Sequence, residues 1–264
     1  MTISIKSPTS TTGSIQKNGS DVITIDASDN VTVANGLTVS GNISTSGTIP
    51  AGQLTGDLPA ISGANLTGLP AGGFSNMDVI TSTSTWANAT GATKVKVTVI
   101  GGGGGGSGGY ATVVGGVGGG GGGAAIEVLT IPASPVAVTI GAGGTAGSYQ
   151  GNGGAGGTSS FAAYCSATGG GGGSWYSAYN GLGGLGGVGS GGTLNVVGSS
   201  GENHSYAGTY DNFSTNGGSS MLGGGGRGIY VGTPGVGSTG GGGAGGTASS
   251  VGAVGGAGIV IIEY

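Results

Sequence analysis

The sequence predicts an all-β protein: a short β-rich shaft and collar, then a glycine-rich, β-sandwich-like head. Three observations carry this. No stretch of the 264 residues sustains a helical apolar period, and helix formers are scarce. Short runs of alternating Val, Ile and Thr, bounded by Asn, Asp and Gly, recur as half-buried strands do. Of the 73 glycines, 12 precede residue 101 and 61 follow it, so the later part must pair its backbone densely or stay unfolded.

Residues 1–48 hold the units DVITID (21–26), NVTVA (30–34), GLTVS (36–40) and GNIS (41–44), separated by Asn, Asp and Gly turns. Each reads as a strand of a few residues with one apolar face. Ribbons this narrow bury no core alone, so several identical chains wound about an axis would share one. From 49 to 73 the pattern changes to IPAGQLTGDLP (49–59) and ISGANLTGLP (61–70), with LTG repeated at Leu54 and Leu66. Regularly spaced Ile and Leu make this an expected ordered collar rather than a polar linker.

The head spans 74–264. In KVKVTVI (94–100), Val95, Val97 and Val99 face one way and Lys94, Lys96 and Thr98 the other. Residues 124–131 and 136–140 read as further strands, parted by Pro132 and Pro135, and 161–168 as an apolar strand-like segment. GIVIIEY (258–264) is apolar on both faces, as a central strand is, and is expected to pair with 94–100. Between these ends lie glycine runs at 101–106, 118–123, 169–173, 223–226 and 240–243.

Each glycine costs roughly 0.5–1 kcal/mol more than alanine to order in regular structure, so the runs need a compensating array. The sequence has neither the Gly-X-Y period of collagen nor the Gly-Ala alternation of silk. Polyglycine II helices remain: three residues per turn, about 3.1 Å per residue, with every hydrogen bond made to a neighbour. A six-residue run would span roughly 19 Å, rods would lie side by side in either direction, and residues between runs would form exposed loops. The β part would clamp the bundle.

Composition narrows function. Five Lys plus Arg against nine Asp plus Glu, net charge −4, leaves no basic patch for nucleic acid or anionic membranes. The apolar runs are too short for membrane insertion, and Met1 opens no signal peptide, so synthesis in a cytoplasm is expected. Cys165 is the single cysteine and His204 the single histidine, with no motif pairing them; Cys165 reads as a buried apolar residue, and neither a metal site nor a cofactor is expected. Chance GxGxxG matches in the glycine runs carry no nucleotide signal without a βαβ unit.

No catalytic role is expected. Glycoside hydrolysis needs two carboxyls flanking a bond, and among Asp78, Glu127, Glu202, Asp211 and Glu263 only Glu202 and Asp211 share a loop region. An exposed pair of that kind reads as solvated or sugar-binding; a depolymerase would require the two to face each other across a groove.

The candidate recognition residues cluster in SWYSAYN (174–180) and ENHSYAGTYDNF (202–213): Trp175, Tyr176, Tyr179, Asn180, Asn203, His204, Tyr206, Tyr210, Asp211, Asn212 and Phe213. Smaller sets are SYQ (148–150), Tyr110, and Arg227 with Tyr230. Rings stack on sugars or apolar surface at low entropy cost while amides and carboxylates bond hydroxyls. The plainer reading is that the rings cover the ends of the bundle as its missing core.

KVKVTVIGGGGGG (94–106), GAGG (141–144), GGTSSF (156–161), CSATGG (165–170) and GIVIIEY (258–264), taken together, resemble the glycine-rich domain of tail fibres of tailed bacteriophages over about residues 92–264. NGSDVITIDA (18–27), VTVANGLTVSG (31–41) and ISGANLTG (61–68) resemble phage fibre shafts and collars. The resemblance implies a homotrimer in the virion tail, bound through its N-terminus to other tail or baseplate proteins and presenting its head to a bacterial surface receptor. Adhesins of T-even-like phages and the glycine-rich domain of anaplastic lymphoma kinase use polyglycine II bundles; this chain differs from those adhesins in carrying its own shaft. The competing expectation is a structural segment whose tip docks another virion protein.

Overall fold

The computed structural model describes residues 13–17, 20–25, 31–33, 74, 76–88, 92–110, 114–130, 135–177, 180–205, 213–230 and 233–264, with the backbone alone for the first three stretches and for 176, 177, 180 and 205. The chain divides into two units, 1–66 and 67–264. The described residues contain strands and no helix, so the fold is all-β.

In the first unit β1 (Gly13–Lys17), β2 (Ser20–Ile25) and β3 (Val31–Val33) form an antiparallel sheet in that order. β2 and β3 fall on two of the expected units. β1 is an addition: its one large apolar residue, Ile15, lies opposite Ile23, so no alternation announces it. The expected strands at 36–44 and the collar at 49–73 lie outside the described residues.

The second unit opens with two five-stranded antiparallel sheets. One has the order β14 (Leu194–Val196), β7 (Ala124–Thr130), β6 (Lys94–Ile100), β16 (Ile259–Glu263), β4 (Met77–Ile80). The other runs β13 (Gly189–Ser190), β10 (Cys165–Ala167), β9 (Ser159–Phe161), β8 (Val136–Thr139), β5 (Ser84–Trp86). The expected pairing of the head's two ends is present, with Val97 opposite Ile262 and Val99 opposite Val260. These four side chains and Val95 face Trp86, Val136, Val138, Phe161, Cys165 and Ala167 of the second sheet, making a sandwich core. Each such Val, Ile or Phe contributes about 1.5–3 kcal/mol by leaving water. The expected single strand at 161–168 is two: Ala162, at φ 45°, and the turn at 162–164 fold it into a hairpin of β9 and β10.

From the sandwich the backbone leaves, among the described residues, as twelve rods, residues 101–110, 114–123, 141–148, 151–158, 168–173, 183–188, 197–203, 213–220, 223–230, 233–238, 240–247 and 252–258, each antiparallel to the next along the chain. The first rod shows the rule. Its N–H groups at Gly101, Gly104 and Ser107 donate to Gly123, Gly120 and Val117 of the second rod. Those at Gly102, Gly105 and Gly108 donate to Gly157, Gly154 and Gly151 of the fourth, and those at Gly103, Gly106 and Gly109 to Gly256, Ala253 and Ser250 at the twelfth. Its carbonyls accept from the third, fifth and eleventh rods with the same three-residue period.

Six neighbours therefore surround the first rod. The second and eleventh rods are bonded to six neighbours each as well, and these three rods touch one another. The other nine form a closed ring around them. Position in this array decides composition. In the enclosed first, second and eleventh rods every described residue is buried apart from Tyr110, and a Cβ at Gly103 would lie closer than 3.0 Å to the carbonyl of Gly241. In the ring every third residue faces outward: Ala142, Thr145 and Ser148 are exposed while Gly141, Gly144 and Gly147 are buried. Seven rods thus lie where loops were expected, because a ring rod needs small residues at only two of three positions and so can fold without a long glycine run.

Candidate functional site

Alternation of the rods puts their connections at two ends. One end joins the sandwich, apart from the short turns at 220–223 and 238–240. The other gathers six connections: between Tyr110 and Val114, at 148–151, at 174–182, and between the ends of the remaining three rod pairs at 203–213, 230–233 and 247–252. The described residues of every aromatic and polar set singled out in the sequence lie at or beside this end, which forms the tip.

The two long clusters join there through backbone pairing. β11 (Ser174–Ser177), β12 (Asn180–Leu182) and β15 (His204–Ser205) form one antiparallel sheet, with Trp175 opposite Gly181 and Gly181 opposite His204. Strands thus replace the expected loops. Trp175 is half-buried, its ring stacked on Tyr110 with centroids 5.6 Å apart and planes at 26°. Its backbone N–H donates to Asn152 Oδ1 at 2.7 Å. Asn203 is exposed, and its Oδ1 accepts the Gly183 N–H at 2.8 Å, tying the tip sheet to a rod.

His204 is buried, 7% exposed, so its ring belongs to the interior of the tip rather than its surface. Tyr176 and Asn180 lie in β11 and β12. Tyr179, Tyr206, Tyr210, Asp211 and Asn212 fall outside the described residues. Phe213 is exposed and tilts against Tyr230 of the neighbouring rod, centroids 4.9 Å apart. Tyr149 is exposed beside Gln150, which holds a left-handed φ of 55° in the tight connection at 148–151.

The pairing of Tyr110 with Trp175 and the roles of Asn152 and Asn216 escaped the sequence reading. Asn216 is an outward residue in the triplet series Phe213, Asn216, Ser219, and that spacing is the signal that marks it. Its N–H and Nδ2 donate to the Glu202 carboxylate at 2.9–3.0 Å, and its Oδ1 accepts the Gly228 N–H.

The acids of the head that are described all have structural partners. Asp78 accepts from Trp86 and Tyr264, Glu127 from Thr193, Glu202 from Asn216, and Glu263 pairs with Lys96 at 2.6 Å. Cys165 is buried in the sandwich, and burial, reinforced by the nearby Glu127, pushes its thiol up to about 11. Among the described residues no three of His, Cys, Asp and Glu converge as metal ligands would.

A comparison with curated proteins yields no match. The glycine-rich domain family matches residues 78–264, which takes in all twelve rods and the sandwich except Met77 at the start of β4. On that match over most of its length, the chain belongs to the glycine-rich domain family.

Proposed function

We propose that the chain is a phage tail fibre whose rods are polyglycine II helices and whose tip binds a receptor on a bacterial surface, a saccharide or an outer-membrane protein. The observation that carries this reading is the convergence of the aromatic and amide-rich connections at the one end of the bundle that the sandwich leaves open. A three-residue hydrogen-bond period supports the helix assignment. A bundle knitted through its backbone on six sides supplies the stiffness a recognition surface needs, and adaptable rings and amides supply contact. The N-terminal unit attaches the fibre to the tail, three chains assemble about the narrow shaft, and no reaction is catalysed.

One observation favours a second reading, a structural segment that docks another virion protein. Leu182, Leu185 and Val188 form an exposed apolar stripe along the sixth rod, continued by Leu194 and Val197. The test is retention of cells by the full-length chain on beads, across a panel of bacterial strains. Capture of cells from at least one strain, abolished by Trp175→Ala with Tyr176→Ala, supports the receptor reading. Failure to capture any strain, with tight binding to a purified tail protein through the sixth rod, favours the docking reading.

A further inference from the structure

The eighth and ninth rods lie antiparallel in the ring, joined by hydrogen bonds from Ser214 N–H to Ile229, Gly217 N–H to Gly226 and Ser220 N–H to Gly223. That register sets their outward residues side by side in rows: Phe213 with Tyr230, Asn216 with Arg227, Ser219 with Gly224. Successive rows stand about 9 Å apart, three residues at the polyglycine rise. Phe213 and Tyr230, 56% and 52% exposed, form a two-ring platform at the tip edge. Arg227, in the next row, is exposed and is the only lysine or arginine between residue 97 and the C-terminus.

The third row is open. A Cβ at Gly224 would meet nothing within 4 Å, so the rod backbone is bare there. Ser238 Oγ donates to the Gly224 carbonyl at 2.9 Å, and Ser219 stands on the other side. Beside Arg227, Asn216 is held by Glu202 and by the Gly228 N–H, so its position is fixed before any ligand arrives.

We infer that this ladder of rows binds an acidic saccharide that carries carboxylates. The inference rests on the receptor reading above and names the ligand class. The apolar face of one pyranose packs on Phe213 and Tyr230. The guanidinium of Arg227 takes the carboxylate of a neighbouring sugar through two parallel N–H···O bonds, the geometry its planar fork matches. The gap at Gly224 admits the continuing chain against the serine hydroxyls. One arginine with Glu202 nearby balances a single negative charge better than a phosphate dianion, so carboxylated sugars are selected over phosphorylated ones.

The test is calorimetric titration of the full-length chain with an oligoglucuronate, the same oligosaccharide with its carboxyls reduced to alcohols, and a phosphorylated oligosaccharide. The acidic form is expected to bind about tenfold to a hundredfold more tightly than the reduced form. Arg227→Gln should bring the acidic form down to the affinity of the reduced one without weakening the latter. Tyr230→Ala should weaken both, with thermal unfolding showing that each variant stays folded. No binding of oligoglucuronate by the folded chain, or equal binding by Arg227→Gln, or preference for the phosphorylated sugar, would overturn the inference. Bacterial binding that survives Arg227→Gln removes this ligand and leaves the receptor reading standing. Oligoglucuronate binding without retention of any bacterial strain does the reverse.

Discussion

Trp86 and Tyr264 meet edge to face, centroids 5.5 Å apart and planes at 71°, and both donate to one oxygen of Asp78: Nε1 at 2.8 Å and the phenol at 3.0 Å. The contact ties β5 to the two neighbouring strands β4 and β16 and so closes one edge of the sandwich. Asp78→Ala leaves the Nε1 of a buried tryptophan without its acceptor and should cost about 1–3 kcal/mol in denaturant unfolding.

The hydrogen bond to Asp78, helped by desolvation and the carboxylate charge, raises the pKa of Tyr264. A raised folded pKa means the fold favours the protonated phenol, so its contribution is full below the ordinary tyrosine value and is lost above it, as pH rises through the raised folded one. Absorbance titration should show one tyrosine ionising late in the wild type and at an ordinary pH in Asp78→Ala. Identical titration curves would remove this account of the clasp.

Position in the rod array predicts opposite outcomes for one substitution. Gly103→Ala drives a methyl group against the Gly241 carbonyl in an enclosed rod, where six neighbours leave no direction for relief. Loss of folding, or destabilisation beyond about 4 kcal/mol, is expected. Gly224→Ala faces open space and should be neutral or stabilise by about 0.4–1 kcal/mol through the unfolded chain. Thermal unfolding of the two variants side by side decides the matter.

Cys165 should resist thiol reagents in the folded protein and react on unfolding. Burial raises its pKa from 9.0 to about 11. The neutral thiol is the form the fold favours, so its contribution is intact below pH 9.0 and is lost as pH climbs towards about 11. Labelling rates at increasing denaturant should track global unfolding; rapid labelling of the native chain would contradict the packing of β10.

Asn203 anchors the tip sheet by accepting the Gly183 N–H. Asn203→Ala should cost about 1 kcal/mol, and Asn203→Asp, which keeps an acceptor oxygen, should restore most of it. If the aspartate variant is as unstable as the alanine one, the side chain has another role.

Much of the sandwich was legible because its strands alternate in plain view: Val95, Val97 and Val99 announce β6, and the apolar run at 259–262 announces its partner. β5 stayed hidden, since Ser84 and Thr85 give Trp86 no apolar companion on its strand. Among the rods, unbroken glycine marks the enclosed positions, as at 101–106 and 118–123, and two of the ring, at 169–173 and 223–226. The other seven ring rods fall where loops were expected because their signal is a triplet, such as GGLGGV at 183–188, in which the outward Leu185 and Val188 look like interruptions. The recognition clusters were legible by composition. Their convergence was not, because it depends on how many times the chain reverses between 110 and 252, and that number is fixed only by the ring.

The most direct test of the account is saturation binding of the full-length chain to intact bacteria, comparing tip and flank variants. The tip variant combines Trp175→Ala, Phe213→Ser and Tyr230→Ser; the flank variant combines Leu185→Ser and Val188→Ser on the sixth rod. The account predicts that the folded tip variant loses at least about tenfold in affinity, roughly 1.4 kcal/mol or more, while the flank variant binds as the wild type does. Binding retained by the tip variant and lost by the flank variant would contradict it.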